Sequence, residues 1–160
     1  MIRKSEVTLH CHTKKTTISY ELPADQQEFT SLPQDLIKRD AGNPEKHLVV
    51  IRARGEVAGF FELDESSDRK RCSDNPKALL LRGYSVNPKF QGRGIATGSL
   101  DALPAFMKEE FTEFNEVVLG VNARNSAAQN LYKKVGFEDT GRRIMGPKGE
   151  QLVMCLKVKE

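Results

Sequence analysis

No stretch of the 160 residues approaches the roughly 18 consecutive apolar positions that a membrane-spanning helix needs. The opening residues, Met1-Ile2-Arg3-Lys4-Ser5-Glu6, contain no apolar run of the kind that makes a secretory signal. Internal repeats and low-complexity tracts are missing, which removes solenoids and fibrous arrays. Cysteines are few. Cys11, Cys72 and Cys155 are odd in number and widely spaced, which argues against a disulfide framework and for a reducing, cytoplasmic setting. Neither sign of charge dominates: the formal net charge is +3, with basic residues scattered. The one basic cluster, Arg69-Lys70-Arg71, stands beside Asp64, Glu65 and Asp68 and reads as a solvated loop, not a nucleic-acid contact. In "His10-Cys11-His12" a strand would point the two histidines to one face and Cys11 to the other. Cys11 then falls in line with Val7 and Leu9 as a small core residue, and no metal site is expected.

What remains is a globular composition, 38% hydrophobic and 29% charged, in a chain long enough for one domain with a real core. The N-terminus reads as two strands, Glu6–His12 and Thr16–Leu22, followed by helical stretches opening at Pro23 and Leu32. His47–Ala53 and Val57–Leu63 form a hairpin across Arg54-Gly55-Glu56, and Glu65–Lys77 is polar and irregular. Ala78–Val86 is the next strand; Gly83 inside it signals a bulge or a close approach by another group. Helical spacing puts Ala96, Leu100, Leu103, Met107 and Phe111 on one face of Arg93–Phe111, with Pro104 interrupting the hydrogen-bond ladder. A strand at Glu116–Val121, a short helix at Asn125–Val135 and a hairpin of Phe137–Met145 with Gln151–Val158 complete a mixed α/β domain.

Chemistry concentrates where a strand hands over to a helix, in "VNPKFQGRGIATGSL" from Val86 to Leu100. A helix's first N–H groups have no intrahelical partner and carry partial positive charge, so an anion fits there. Gly92 and Gly94 would let it approach the backbone closely, and Lys89 and Arg93 add positive charge. No lysine follows the glycines as a P-loop requires. The third glycine of a dinucleotide fingerprint comes one place late, at Gly98, and the next strand ends in Gly120-Val121-Asn122 without its acidic residue. A second motif begins thirty-one residues after Gln91. In it Asn125, Ala128 and Tyr132 share one helix face: a capping residue, a small residue that lets a ligand lie close, and a phenol.

Together the two stretches resemble the GCN5-related N-acetyltransferase (GNAT) family. Gln91, Gly94 and Ala96 meet its pyrophosphate signature [QR]-x-x-G-x-[GA]. "Asn125-x-x-Ala128-x-x-Leu131-Tyr132-x-Lys134-x-Gly136-Phe137" is similar to its second signature, and the likeness covers roughly residues 46 to 158. The resemblance implies a splayed, mostly antiparallel sheet flanked by helices, with acetyl-CoA wedged between Ala78–Val86 and Glu116–Val121. It implies that Ser85 and Val86 pair with pantetheine amides. The turn Gln91, Gly92, Arg93, Gly94, Ile95, Ala96 and Thr97 would hold the pyrophosphate, and Asn122, Asn125 and Ala128 would line the pantetheine arm. Tyr132 would act as general acid on the departing thiolate. Glu62, which hairpin parity places on one face with Phe60 and Asp64, is the first candidate for general base; the alternative is a solvated strand-end carboxylate.

The expected reaction is transfer of acetyl from acetyl-CoA to a primary amine, preferably of a small molecule, by a monomer or homodimer. Residues 1–45 would form the acceptor side and 46–160 the acetyl-CoA-binding core of a single domain. The acidic run Glu62, Asp64, Glu65 and Asp68 would favour a cationic amine. Acetylation of a protein amine and a non-catalytic acyl-CoA sensor are the competing readings.

Overall fold

The computed structural model describes residues 2–158. Seven strands form one sheet in the order β1-β2-β3-β4-β5-β7-β6. They are β1 (Val7–Cys11), β2 (Lys46–Ala53), β3 (Glu56–Asp64), β4 (Ala78–Val86), β5 (Glu116–Asn122), β6 (Glu138–Gly146) and β7 (Gly149–Lys157). The helices are α1 (Ala24–Gln27), α2 (Pro33–Asp40), α3 (Ile95–Glu110) and α4 (Ser126–Lys134). Every neighbouring pair is antiparallel except β4 with β5. That pair joins the two halves of the sheet, and it is paired at only three positions, Ala78↔Glu116, Leu79↔Val117 and Leu80↔Val118.

Past Leu80 and Val118 the two strands part, although each stays paired on its outer side. β4 keeps its bonds to β3 as far as Val86↔Gly59, and β5 its bonds to β7 as far as Asn122↔Gln151. The sheet is therefore splayed and mostly antiparallel, the architecture that the resemblance implies.

Two apolar layers hold it. On one face α3 presents Ile95, Leu100, Leu103 and Met107 to Val49, Ile51, Phe61 and Leu79, and α4 adds Tyr132. α3 runs on through Pro104, which supplies no N–H for the Leu100 carbonyl. On the other face Leu36 of α2 packs with Leu48, Val50 and Phe60. The same layer takes Ile18, Tyr20 and Leu22, which corrects the second N-terminal strand: residues 16–22 are extended but join no ladder. Alternate residues are buried as the pattern requires. The segment gains that burial by lying across the sheet face, because β1 already occupies the edge of β2.

Two further expectations are corrected. Cys11 is exposed rather than a core residue, because it lies at the end of β1 beside Glu110, where the covering helix α3 runs out. Arg69 is buried, not solvated: its guanidinium donates to the carbonyls of Ser73 and Asn75 and pins the loop between β3 and β4.

Gly83 explains how β4 turns away from β5. Between Phe60↔Ser85 and Glu62↔Arg82 the β4 strand carries one residue more than β3, which is a bulge. Gly83 sits in it at φ +65°, and a Cβ there would collide with Cδ1 of Leu36. Gly42 has a similar φ of +87° but open space around it. Gly83→Ala is therefore expected to lose about 2–3 kcal/mol of unfolding free energy in urea, and Gly42→Ala about 1. Equal losses would mean that Leu36 yields and that only the backbone conformation matters.

Candidate functional site

The parting of β4 and β5 opens a cavity of about 610 Å³. Its walls include consecutive residues Leu81–Val86 of β4 and Leu119–Asn122 of β5, the segments that no longer pair with each other. Among the residues singled out from the sequence, Ser85, Val86, Gln91 and Ala96 line it from β4 and the turn beyond. Asn122, Asn125, Ala128 and Tyr132 line it from β5 and α4.

The glycine turn lies at the cavity's end. Gly92 and Gly94 have φ of +75° and +86°, and Gly94 is the N-cap of α3 with no side-chain cap. The first intrahelical bond runs from the Gly98 N–H to the Gly94 carbonyl, so the N–H groups of Ile95, Ala96 and Thr97 have no backbone partner among the described residues. No acidic residue stands in that first turn. Ile95 is 2% exposed, so its own side chain belongs to the core and only its backbone can serve a ligand. Gly92, Arg93, Gly94, Ile95 and Thr97 are not on the cavity wall. Lys89 is drawn away to Glu56, at 2.6 Å.

The polar side chains differ in how free they are. Asn125 Oδ1 caps α4 by accepting from the Ala128 N–H, leaving its Nδ2 for the cavity. The Asn122 amide is fully engaged: it donates to the Lys148 carbonyl and accepts from the Arg124 N–H, tying β5 to the β6–β7 turn. Gln91 donates to Gln26 and to the Val86 carbonyl, fastening α1 over the cavity. Ser85 is held by the Tyr20 hydroxyl at 2.6 Å.

Tyr132 is 8% exposed, with ring contacts to Tyr84 and Phe137. Burial pushes its phenol well above the ordinary tyrosine range, and no described residue hydrogen-bonds its hydroxyl. Tyr84, which the sequence reading passed over, also lines the cavity. Its hydroxyl bonds Ser99 at 2.5 Å and its ring stacks on Phe61, so it braces Tyr132 from below. Its alternation with Arg82 and Val86 along β4 carries no signal beyond an ordinary strand aromatic.

Glu62 is not the solvated carboxylate of the alternative reading. It is 0% exposed and lies behind the cavity walls, beneath α2. Neither of its oxygens has a hydrogen-bond partner, and the nearest cations, Arg39 and Lys46, are 3.8 and 4.0 Å away. Burial, and then the facing Asp40 carboxylate, raise its pKa to about 8. Asp40 takes the opposite course because Arg39 grips it with two bonds of 2.9 and 2.6 Å. Asp64, also 0% exposed, would be raised by burial. Bonds from Lys46 and Ser66 outweigh that and hold it below its usual value. The four acidic residues of the sequence run therefore do not form an open anionic patch: Asp64 and Asp68 face Arg82, Glu65 faces His47, and Glu62 keeps its proton.

A second cavity, of about 310 Å³, lies on the α2 side of the splay. It shares Phe29, Thr30, Gly83, Gly120 and Gln151 with the first, so the two adjoin where β4 and β5 separate.

Comparison with known proteins agrees with this geometry. The profile of the Acetyltransferase (GNAT) family matches residues 15–137. The chain is 39% identical over 137 residues to the uncharacterized N-acetyltransferase YbbJ of Bacillus subtilis, covering 85% of this chain and 86% of that protein. It shares its fold with a GNAT family acetyltransferase from Elizabethkingia anophelis solved with acetyl-CoA bound (TM-score 0.64, 20% identity, 96% and 99% of the two chains). The same holds for AAC(6')-Ib in complex with paromomycin and acetyl-CoA (TM-score 0.71, 16% identity, 95% and 93%).

The raised Glu62 has a thermodynamic signature. Between its ordinary pKa of 4.5 and about 8 the folded chain holds a proton that the unfolded chain has released, so this residue's contribution to stability falls as pH rises. Glu62→Gln mimics the protonated form. Urea unfolding at about pH 5, 7 and 9 is expected to give a variant-minus-wild-type difference that grows in the variant's favour with pH and then levels off. A pH-independent difference would mean that Glu62 is ionised in the fold.

Proposed function

The chain belongs to the GNAT acetyltransferase family, and on that premise we propose that it moves the acetyl group of acetyl-CoA directly to a primary amine of a small molecule. The observation that carries this reading is the cavity between the parted strands β4 and β5, with the unpartnered N–H groups of α3 at one end and the Tyr132 phenol in its wall. Acetyl-CoA supplies an activated acyl group and a thiolate leaving group. The reading takes residues 1–160 as one transferase domain, with residues 1–45 on the acceptor side.

In this reading each part of the chain has one task. The N–H groups of Ile95, Ala96 and Thr97 hold the pyrophosphate, aided by the partial charge of the α3 terminus and by Arg93. Backbone groups on the inner edge of β4 about Ser85 and Val86 meet the pantetheine amides, acetyl-CoA taking the place of the Gln91 amide on the Val86 carbonyl. The Asn125 Nδ2 contacts the same arm, and Ala128 leaves room for it. Tyr132 directs its hydroxyl proton at the sulfur. A phenol near pKa 10 giving its proton to a thiolate whose thiol has a pKa near 8.5 is uphill by about 2 kcal/mol in water. Burial raises that cost further, so Tyr132 stabilises the thiolate through a donated hydrogen bond and keeps its proton.

The acceptor amine must lose a proton before it attacks. At a pKa of about 10.4 that costs roughly 4.6 kcal/mol at neutral pH. Glu62 takes that role in its ionised form: with a pKa of about 8 it is mostly protonated at neutral pH, and the ionised fraction, which grows as pH rises through that value, is the base. It lies behind Arg39, so as the base it works through an intervening water and the Asp40 carboxylate.

Two measurements test the proposal. Acetyl-CoA and free CoA are expected to raise the melting temperature while NAD leaves it unchanged, and an amine panel is expected to release free thiol. Tyr132→Phe is expected to lower kcat by about a hundredfold with acetyl-CoA affinity and melting temperature nearly unchanged, since its hydroxyl bonds nothing in the fold. An unaltered kcat removes Tyr132 from the chemistry. No thiol release with any amine, despite a cofactor-induced melting shift, returns the chain to the acyl-CoA sensor reading.

A further inference from the structure

The smaller cavity borders the splay on the α2 side, and its charge is not what the acidic sequence run suggests. Its charged wall residues are Arg39, Arg71, Arg82 and Asp68. Two of the guanidiniums already have carboxylate partners: Arg39 is clasped by Asp40, and Arg82 lies 3.2 Å from Asp64 and 3.1 Å from Asp68. Arg71 is exposed and has no carboxylate partner among the described residues. One arm of its guanidinium donates to the Met145 carbonyl at 2.7 Å, which steadies the side chain across the mouth of the groove without neutralising it. Lys46 adds a further positive charge beneath Asp64. The carboxyl that might have balanced the surplus, Glu62, is buried with its oxygens unpaired.

We infer that the acceptor is an amine that also carries an anionic group, a carboxylate or a phosphate, which Arg71 and Arg82 receive while the amine points to the junction of the two cavities. The inference rests on the acetyl-transfer reading and narrows its acceptor. A guanidinium fork with one arm held and the other free matches a carboxylate or phosphate edge. A polycation would bring like charge into a partly enclosed groove, which is unfavourable at the short distances such a groove imposes. An aminoglycoside, the ligand class of AAC(6')-Ib, is such a polycation. The shared fold therefore does not carry over that acceptor.

The test uses matched amines with the intact chain and acetyl-CoA, following free thiol. The pairs are phenylalanine with phenethylamine, alanine with ethylamine, and O-phosphoethanolamine with ethanolamine; spermidine represents the polycations. The carboxylate and phosphate pairs separate the two anion sources. In at least one pair the anionic member is expected to have a kcat/KM about tenfold or more above its neutral mate. Arg71→Gln is expected to remove that preference through KM, with kcat within about twofold, and Arg71→Lys to restore part of it. The inference is overturned by a preference for spermidine or for the neutral mates. It is also overturned by an unchanged KM in Arg71→Gln, or by no turnover of any anionic amine while acetyl-CoA still shifts the melt. If acetyl-CoA produces no melting shift, the transfer reading fails first and this inference with it.

Discussion

Three register pairs between β4 and β5 are the constraint on which the rest of this molecule depends. They are enough to join the halves of the sheet into one body, and few enough to let the strands part immediately afterwards. Each strand past that point has a satisfied outer edge and an unsatisfied inner one. Buried backbone groups without partners are costly, so the inner edges must face solvent or a ligand that can bond them. The bulge at Gly83 turns β4 away, and Leu36 occupies the space that a side chain there would need, so α2 and the splay are fitted to each other. The cavity thus follows from backbone geometry before any side chain is considered, and the two helices that bear the signature residues, α3 and α4, are placed along it by the apolar layer they share.

The second organising feature is the arrangement of charge under α2. Four carboxyls, Asp40, Glu62, Asp64 and Asp68, meet four cations, Arg39, Lys46, Arg71 and Arg82, and the partition is uneven. Arg39 takes Asp40, Lys46 and Arg82 take Asp64, and Asp68 shares Arg82. Glu62 lies in the densest part of the cluster yet receives no bond, so it is the member that keeps its proton. A cluster that looks acidic in sequence then presents a basic wall to the groove. The reason is depth: parity on β3 turns Glu62 and Asp64 inward beneath α2, while Arg82 on β4 and Arg71 in the loop reach the surface.

Much of this was legible in the residues. The strand and helix order from Lys46 onward, the glycine turn and the shared face of Asn125, Ala128 and Tyr132 are local patterns that tertiary packing leaves intact, and the splay was implied by the family resemblance they carry. Gly83 announced a bulge or a close approach by another group, and it has both. The misreadings share a cause. Thr16–Leu22 alternates like a strand, but alternation reports burial of one face and not the presence of a neighbour with a free edge. Cys11 has the parity of a core residue on a strand that outruns its covering helix. Arg69 was read with its neighbours as one solvated run, although the two carbonyls that hold it come from four and six residues further on. For Glu62 the strand parity was legible and the depth was not, because depth depends on a helix some twenty residues earlier in the chain; only the solvated alternative is ruled out.

The same depth argument bears on how an acyl transfer can be divided between the two cavities. The larger one is lined by aromatic rings and parted backbone, and its one unpartnered phenol, Tyr132, lies in surroundings that oppose ionisation. Such a group is a hydrogen-bond donor at every working pH, which suits a site where negative charge develops on a leaving sulfur. The smaller cavity is bordered by guanidiniums over the Asp40 and Glu62 carboxyls, of which Glu62 is raised to about 8 and Asp40 is held low by Arg39. Such a pair can take up a proton near neutral pH, which suits a site where an amine must be deprotonated. The splay places a fixed donor on one side of the sheet and a titratable pair on the other. One parting of two strands thereby sets the two cavities side by side with an electrostatic difference between them.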